Sequence, residues 1–154
     1  MNATTVCDVM TWTSLTIRPD CPALTALETL VAAEAAELFV VDGDGRFLGI
    51  VTDCEMLKAD LTGSLDDLCA EQLMQRRPMT FAPDHPLGEA AKLFRERSLS
   101  CVPVIRDERL LGMIQRRDVL RWMSSQRDAS PGGAIQAPKF LQTSGRALSR
   151  DALC

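Results

Sequence analysis

Apolar positions along the chain fall into a pattern that is written twice. A short extended segment ends at Thr16-Ile17 and again at Thr80-Phe81. Helical spacing follows each: Leu24, Leu27, Leu30 and Val31 form one stripe, and Leu87, Ala90, Ala91 and Phe94 form the other at i, i+3, i+4, i+7. Pro22 and Pro86 stand where the first helical turn is expected, a place that tolerates a missing N–H. The continuous apolar runs Leu38–Val41 and Cys101–Ile105 predict buried strands. Asp42-Gly43-Asp44-Gly45 predicts a turn, with Arg106-Asp107-Glu108 in its place later. Phe47–Val51 and Leu110–Ile114 return as strands, and helices follow near Asp53–Ala59 and Arg116–Ser124. Each unit therefore reads as β-α-β-β-α.

The two units align residue by residue. At an offset of 64, Met10 meets Met74, Thr16 meets Thr80, Pro19 meets Pro83, Asp20 meets Asp84, Pro22 meets Pro86 and Val40 meets Val104. One residue drops out of the turn, and at an offset of 63 Arg46 meets Arg109, Gly49 meets Gly112 and Leu57 meets Leu120. Two copies mean a duplicated unit rather than an array. The expected organisation is a first repeat at 1–63, a second at 64–124 and a linker and tail at 125–154. The join should be a helix capped by Ser64, with Leu65, Leu68, Cys69, Gln72 and Leu73 on one face. Neither half alone buries enough surface, so the two are expected to share a core.

Composition narrows the function. Of the 154 residues, 46% are apolar and 25% charged, a globular average that excludes a disordered or collagen-like chain. No apolar run approaches the ~18–20 residues of a membrane span. Met1–Met10 has neither a basic nor an apolar signal region, so a cytoplasmic location is expected. The six cysteines form no C-x-x-C pair and His85 is the only histidine, which speaks against structural zinc and against nucleophile–histidine catalysis. Most of the cysteines are expected to be buried as small apolar residues, with terminal Cys154 exposed. His85 reads as a helix-start residue, and Trp12 and Trp122 as packing or interface residues. Residues 1–74 carry 3 basic and 13 acidic side chains (net −10), and residues 75–154 carry 14 and 8 (net +6). The acidic balance disfavours nucleic acid, which needs phosphate neutralisation, but the basic half can hold a small anion.

Two copies of a methionine followed by h-x-P-D-x-P, an apolar strand and G-h-h-x-x-x-[DE]-h-L resemble a tandem pair of CBS domains, the Bateman module, over about Val6 to Met123. The resemblance implies an α/β (α+β) fold of two repeats related by a pseudo-two-fold axis. It also implies a regulatory module whose clefts bind adenosine compounds: AMP, ADP, ATP or S-adenosylmethionine. The family's strand-end pattern G-h-h-[ST]-x-x-D places a carboxylate on the ribose diol and a hydroxyl and helix-start amides on phosphate, which suits a helix N-terminus. The first copy reads Gly49-Ile50-Val51-Thr52-Asp53-Cys54-Glu55 and keeps the hydroxyl. The second reads Gly112-Met113-Ile114-Gln115-Arg116-Arg117-Asp118 and keeps the carboxylate. Arg116 and Arg117 can neutralise phosphate, so the Asp118 cleft is expected to take the nucleotide, with Gln115 donating to it. Thr52 and Glu55 mark the first copy's cleft, where acidic surroundings suit a neutral or cationic adenosine compound. The resemblance adds Thr16 and Thr80 on the adenine side, and Pro103 as a further binding residue.

Simpler roles stand beside each of these. Thr52 can serve as a helix cap, Asp118 can cap its own helix, and the two arginines can be solvated. The module can also be a non-binding scaffold of the same fold, since both signatures are incomplete. An enzyme is disfavoured by the absence of a glycine-rich phosphate loop, a metal cluster and a histidine constellation. No obligatory cofactor is expected. The expected assembly is a homodimer built on helix faces such as Leu57 and Leu120, head-to-tail because that sets the acidic half against the basic one, with an unknown protein partner. The tail beyond residue 124 reads as a mobile end or as a docking segment.

Overall fold

A computed structural model describes residues 3–12 and 15–128. Met1–Trp122 make one compact unit and Met123–Cys154 a second, whose described part is the end of the last helix. Cys154 and the tail from 129 on lie outside the described residues. The elements are β1 (Thr16–Ile17), α1 (Ala23–Ala33), β2 (Glu37–Val41), β3 (Phe47–Thr52), α2 (Asp53–Leu61), α3 (Ala70–Leu73), β4 (Gln75–Arg76), α4 (Leu87–Glu96), β5 (Cys101–Arg106), β6 (Arg109–Gln115) and α5 (Arg116–Asp128). The fold is mixed α+β, with the repeated order read from the sequence.

One sheet runs β1-β2-β3-β4, with β1 parallel to β2 and the other pairs antiparallel. The second is built on β5 and β6, with Val102 opposite Ile114. Two single bridges extend it as β1 and β4 extend the first: Phe81 runs parallel beside Val104, and Thr11 pairs with Met113. Thr11 lies in the first repeat, ahead of β1, yet it completes the sheet of the second. Gln75–Arg76 lie in the second repeat, ahead of its helix α4, and complete the sheet of the first.

This exchange continues through the lead-in segments. Val6 N donates to His85 O (2.9 Å), and Ala70 N donates to Cys21 O (2.8 Å). Cys7 N donates to Pro83 O and Glu71 N to Pro19 O; Leu87 N donates to Thr4 O and Ala23 N to Leu68 O. Each pair of bonds is related by the offset of 64. The core therefore differs from the single shared one expected. There are two apolar clusters, and each is completed by the other repeat's lead-in: Ala70, Leu73 and Met74 in the first, Val6 and Met10 in the second. A half-repeat leaves one sheet face and one helix stripe uncovered, and the borrowed segment covers them.

The exchange explains the repeated glycine. A Cβ at Gly112 would collide with the Thr11 carbonyl oxygen and lie 2.7 Å from Met10 Cε. At Gly49 it would lie 2.5 Å from the Gln75 carbonyl oxygen. Only a residue without Cβ lets the borrowed strand approach this closely.

Local chemistry departs from expectation in four places. The join is a 3-10 turn, Leu65–Asp67, followed by the short α3, rather than one helix. It breaks at Leu68, whose extended backbone gives its carbonyl to Ala23. Pro22 and Pro86 sit one place before their helices, extended, because each also bridges a lead-in residue, Cys69 and Thr5 respectively. On α1 the small Ala23 and Ala26 are buried with Leu30, while Leu24 and Val31 face solvent, since the close approach of the lead-in favours small side chains. Cys7, Cys21, Cys69 and Cys101 are only half-buried and Cys54 is exposed, because they sit at element ends rather than in the clusters.

Candidate functional site

In both repeats a helix starts where a strand ends, and the same bond ties the start of that helix to the residue just before the hairpin that leads into it. Asp53 N donates to Ala36 O (2.9 Å), and Arg116 N donates to Ser100 O (3.0 Å). These bonds seat the loop before β2 on the start of α2 and the loop before β5 on the start of α5. Ser100 Oγ, donating to Glu37 Oε1 (2.9 Å), joins the two loops. Between them lies a cleft of about 480 Å³. The first repeat contributes Leu15, Glu34, Glu37 and Phe39 to its walls. The second contributes Ser100, Met113 and the α5 head, Gln115-Arg116-Arg117.

Of the residues singled out from the sequence, Gln115, Arg116 and Arg117 line this cleft together. Asp118 lies directly behind them and is buried, with 7% of its surface exposed. Its Oδ2 accepts from Gln115 N (2.9 Å) and from Thr11 Oγ1 (3.4 Å), so it binds back to the start of its own helix and to the exchanged strand. Its Oδ1 takes no hydrogen bond among the described residues. Thr16 is exposed on β1, next to Leu15, and pairs in register with Phe39.

Thr52, Glu55, Thr80 and Pro103 are not among the residues lining this cleft. Thr52 caps α2, its hydroxyl accepting from Glu55 N (3.3 Å), while Glu55 pairs with Lys58 Nζ (2.9 Å). Thr80 is exposed, and Pro103 is buried in β5 with its carbonyl accepting from Phe81 N. The two incomplete signatures are thus two halves of one capping arrangement: the cap hydroxyl in the first repeat, the returning carboxylate in the second.

The cleft carries both signs of charge. Arg116 and Arg117 are exposed and make no ion pair or side-chain hydrogen bond among the described residues, and Glu34 makes none either. Glu37 went unnoticed in the sequence. Its Oε1 accepts from Ser100 Oγ (2.9 Å), so this bond crosses between the repeats. Its Oε2 is closed to solvent and has no partner. Burial first, and the Glu37 carboxylate next, push the neighbouring Cys101 thiol well above its usual range, which keeps it protonated. A charged residue at the head of the apolar run Leu38–Val41 was the available signal, because such heads commonly sit in solvent and this one is half-buried. Among the described residues no cluster of His, Cys, Asp and Glu could hold a metal, and no helix is long and apolar enough to cross a membrane.

The CBS domain family model matches residues 6–62 and again 70–125. A homoserine O-acetyltransferase of Methanococcoides burtonii is 35% identical over 119 residues, which are 77% of this chain and 24% of that protein. The chain thus spans about a quarter of the length of that curated relative. Among solved structures, CBSX2 of Arabidopsis thaliana in complex with AMP is 27% identical with a TM-score of 0.73, covering 80% of this chain and 98% of that one. The CBS domain pair of protein MJ0100, solved with 5′-methylthioadenosine and S-adenosyl-L-methionine, is 25% identical with a TM-score of 0.70, covering 81% and 99%.

Proposed function

Because the chain belongs to the CBS-domain family and carries two CBS domains in tandem, we propose that it is a regulatory module that senses an adenosine nucleotide in the cleft between its repeats. The observation that carries this reading is the pair of uncommitted guanidinium groups, Arg116 and Arg117, at the start of α5 in a cleft with apolar walls. Helix-start N–H groups and two guanidiniums suit a phosphate, and Leu15, Phe39 and Met113 suit a base. Asp118 Oδ1 is the acceptor for a ribose hydroxyl. AMP in CBSX2 and the adenosine compounds in the MJ0100 pair support the ligand class. Thr52, Glu55, Thr80 and Pro103, with Thr16, are assigned to the family's second cleft, where Asp53 and Glu55 favour a neutral or cationic adenosine compound.

Ligand held by both repeats favours one of their relative arrangements, and that population shift is the signal passed to a protein partner. The module works in the cytoplasm as a homodimer. Leu57 and Leu120 are exposed on α2 and α5 and supply its apolar contact. The acidic first half and the basic second half favour head-to-tail pairing. Crosslinks mainly between first repeats of the two chains would refute that orientation, and a monomer by light scattering would refute the dimer.

Titration calorimetry with AMP, ADP, ATP and S-adenosylmethionine tests the function. Asp118→Ala is expected to weaken AMP by ~1.5–3 kcal/mol, the scale of hydrogen bonds to a charged group. Replacing both Arg116 and Arg117 by Gln should weaken phosphate-bearing ligands more than S-adenosylmethionine. If no compound binds at millimolar concentration, the non-binding scaffold replaces this reading.

A further inference from the structure

The cleft holds one polar atom that neither the fold nor the proposed phosphate site uses. Glu37 Oε2 is closed to solvent and has no hydrogen-bond partner, although its residue lines the cleft. A carboxylate oxygen without a donor is a poor resting state, and a ligand that brings a donor improves it. Ser100 Oγ holds the other oxygen at 2.9 Å and fixes the arm of the side chain. The terminal torsion of a glutamate is broad, so the carboxylate can turn as a unit and present an oxygen to the cleft, exchanging the Ser100 bond for one from the ligand. An ionised carboxylate only accepts, so the group it meets must carry an N–H or O–H.

We propose that Glu37 is a specificity-determining residue of the cleft, accepting a hydrogen bond from an amino group on the ligand's base while Arg116 and Arg117 hold its anionic end. The inference rests on the nucleotide reading above and adds the choice of base. Glu34 stands beside Glu37 without a partner among the described residues, and the two arginines come from the other repeat. The cleft is therefore acidic where the first repeat lines it and basic at the α5 head. A ligand that is anionic at both ends is repelled at one of them, whereas an amino-bearing base with a single phosphate suits both.

The test compares AMP with purine riboside 5′-monophosphate, which differs by lacking the amino group, in titration calorimetry on the full chain. The wild type should bind AMP about tenfold more tightly, the effect of one such hydrogen bond. Glu37→Met, similar in length but without the carboxylate, should bring the two ligands within about twofold. Glu37→Gln, whose amide oxygen still accepts, should restore part of the preference. Ser100→Ala should keep it, and thermal melts establish that each variant is folded. Equal binding of the two ligands by the wild type, or an undiminished preference in Glu37→Met, overturns the role of Glu37 and leaves the nucleotide reading standing. Failure of both ligands to bind the wild type overturns both.

Discussion

Gly112→Ala is the sharpest probe of the exchanged architecture. The added methyl would meet the Thr11 carbonyl oxygen, Met10 Cε at 2.7 Å and Trp12 Cα at 2.9 Å. Two of these three atoms are backbone, so a rotamer change cannot relieve the clash, and the lead-in strand must lift from β6. Lifting strains or breaks the paired bonds Thr11 N to Met113 O (2.8 Å) and Met113 N to Thr11 O (2.9 Å), each worth about 1 kcal/mol. It also loosens Val6 and Met10, which are buried in the second core, where overpacking costs about 1–3 kcal/mol. The expected loss is about 3–5 kcal/mol, read from the midpoint of urea denaturation at unchanged slope. Gly88→Ala is the matched control. Gly88 lies inside α4 with open space where a Cβ would go, so alanine should stabilise by about 0.5–1 kcal/mol. Hydrogen exchange should show faster exchange at Val6 and Cys7, whose N–H groups bond to the second repeat, in Gly112→Ala alone. A Gly112→Ala protein within about 0.5 kcal/mol of wild type would refute the close approach and with it the exchanged strand.

Gly49→Ala should destabilise in the same way through Gln75 O, and by less than Gly112→Ala, because β4 is exposed and buries no side chain. Stability should fall in acid. Bonds from the Arg46 and Asp44 N–H groups hold the Asp42 carboxyl below its usual range, and Thr5 does the same for Asp8. The unfolded chain then binds more protons, so this contribution is present above about pH 4 and is lost as pH falls through the lowered values. Asp42→Asn should flatten the acid limb of a stability–pH curve, and an unchanged limb would count against the turn. Iodoacetamide at pH 8 should label exposed Cys54 and leave Cys101 unmodified in the native protein; rapid labelling of Cys101 would contradict its raised thiol.

The sequence alone determined the duplication, the order of elements and the strand-to-helix junctions. Periodicity and turn chemistry are local, and a repeat at a fixed offset shows them twice. The resemblance pointed to Gln115, Arg116 and Arg117 as cleft residues, and in the structure these three line one cleft. The tertiary structure decided which segment covers which core. Val6 bonds to His85 and Ala70 to Cys21, and both copies carry the same apolar pattern, so the sequence reads identically whether each lead-in covers its own repeat or the other. Only the path of the chain in space separates the two. The same holds for Asp118, which the pattern marks as a ligand residue and the fold also ties to Thr11 of the exchanged strand. Glu37 and Ser100 are single polar residues at strand heads, 63 positions apart. They became a bonded pair in one cleft because the two repeats meet with β2 and β5 head to head, a juxtaposition no local pattern encodes.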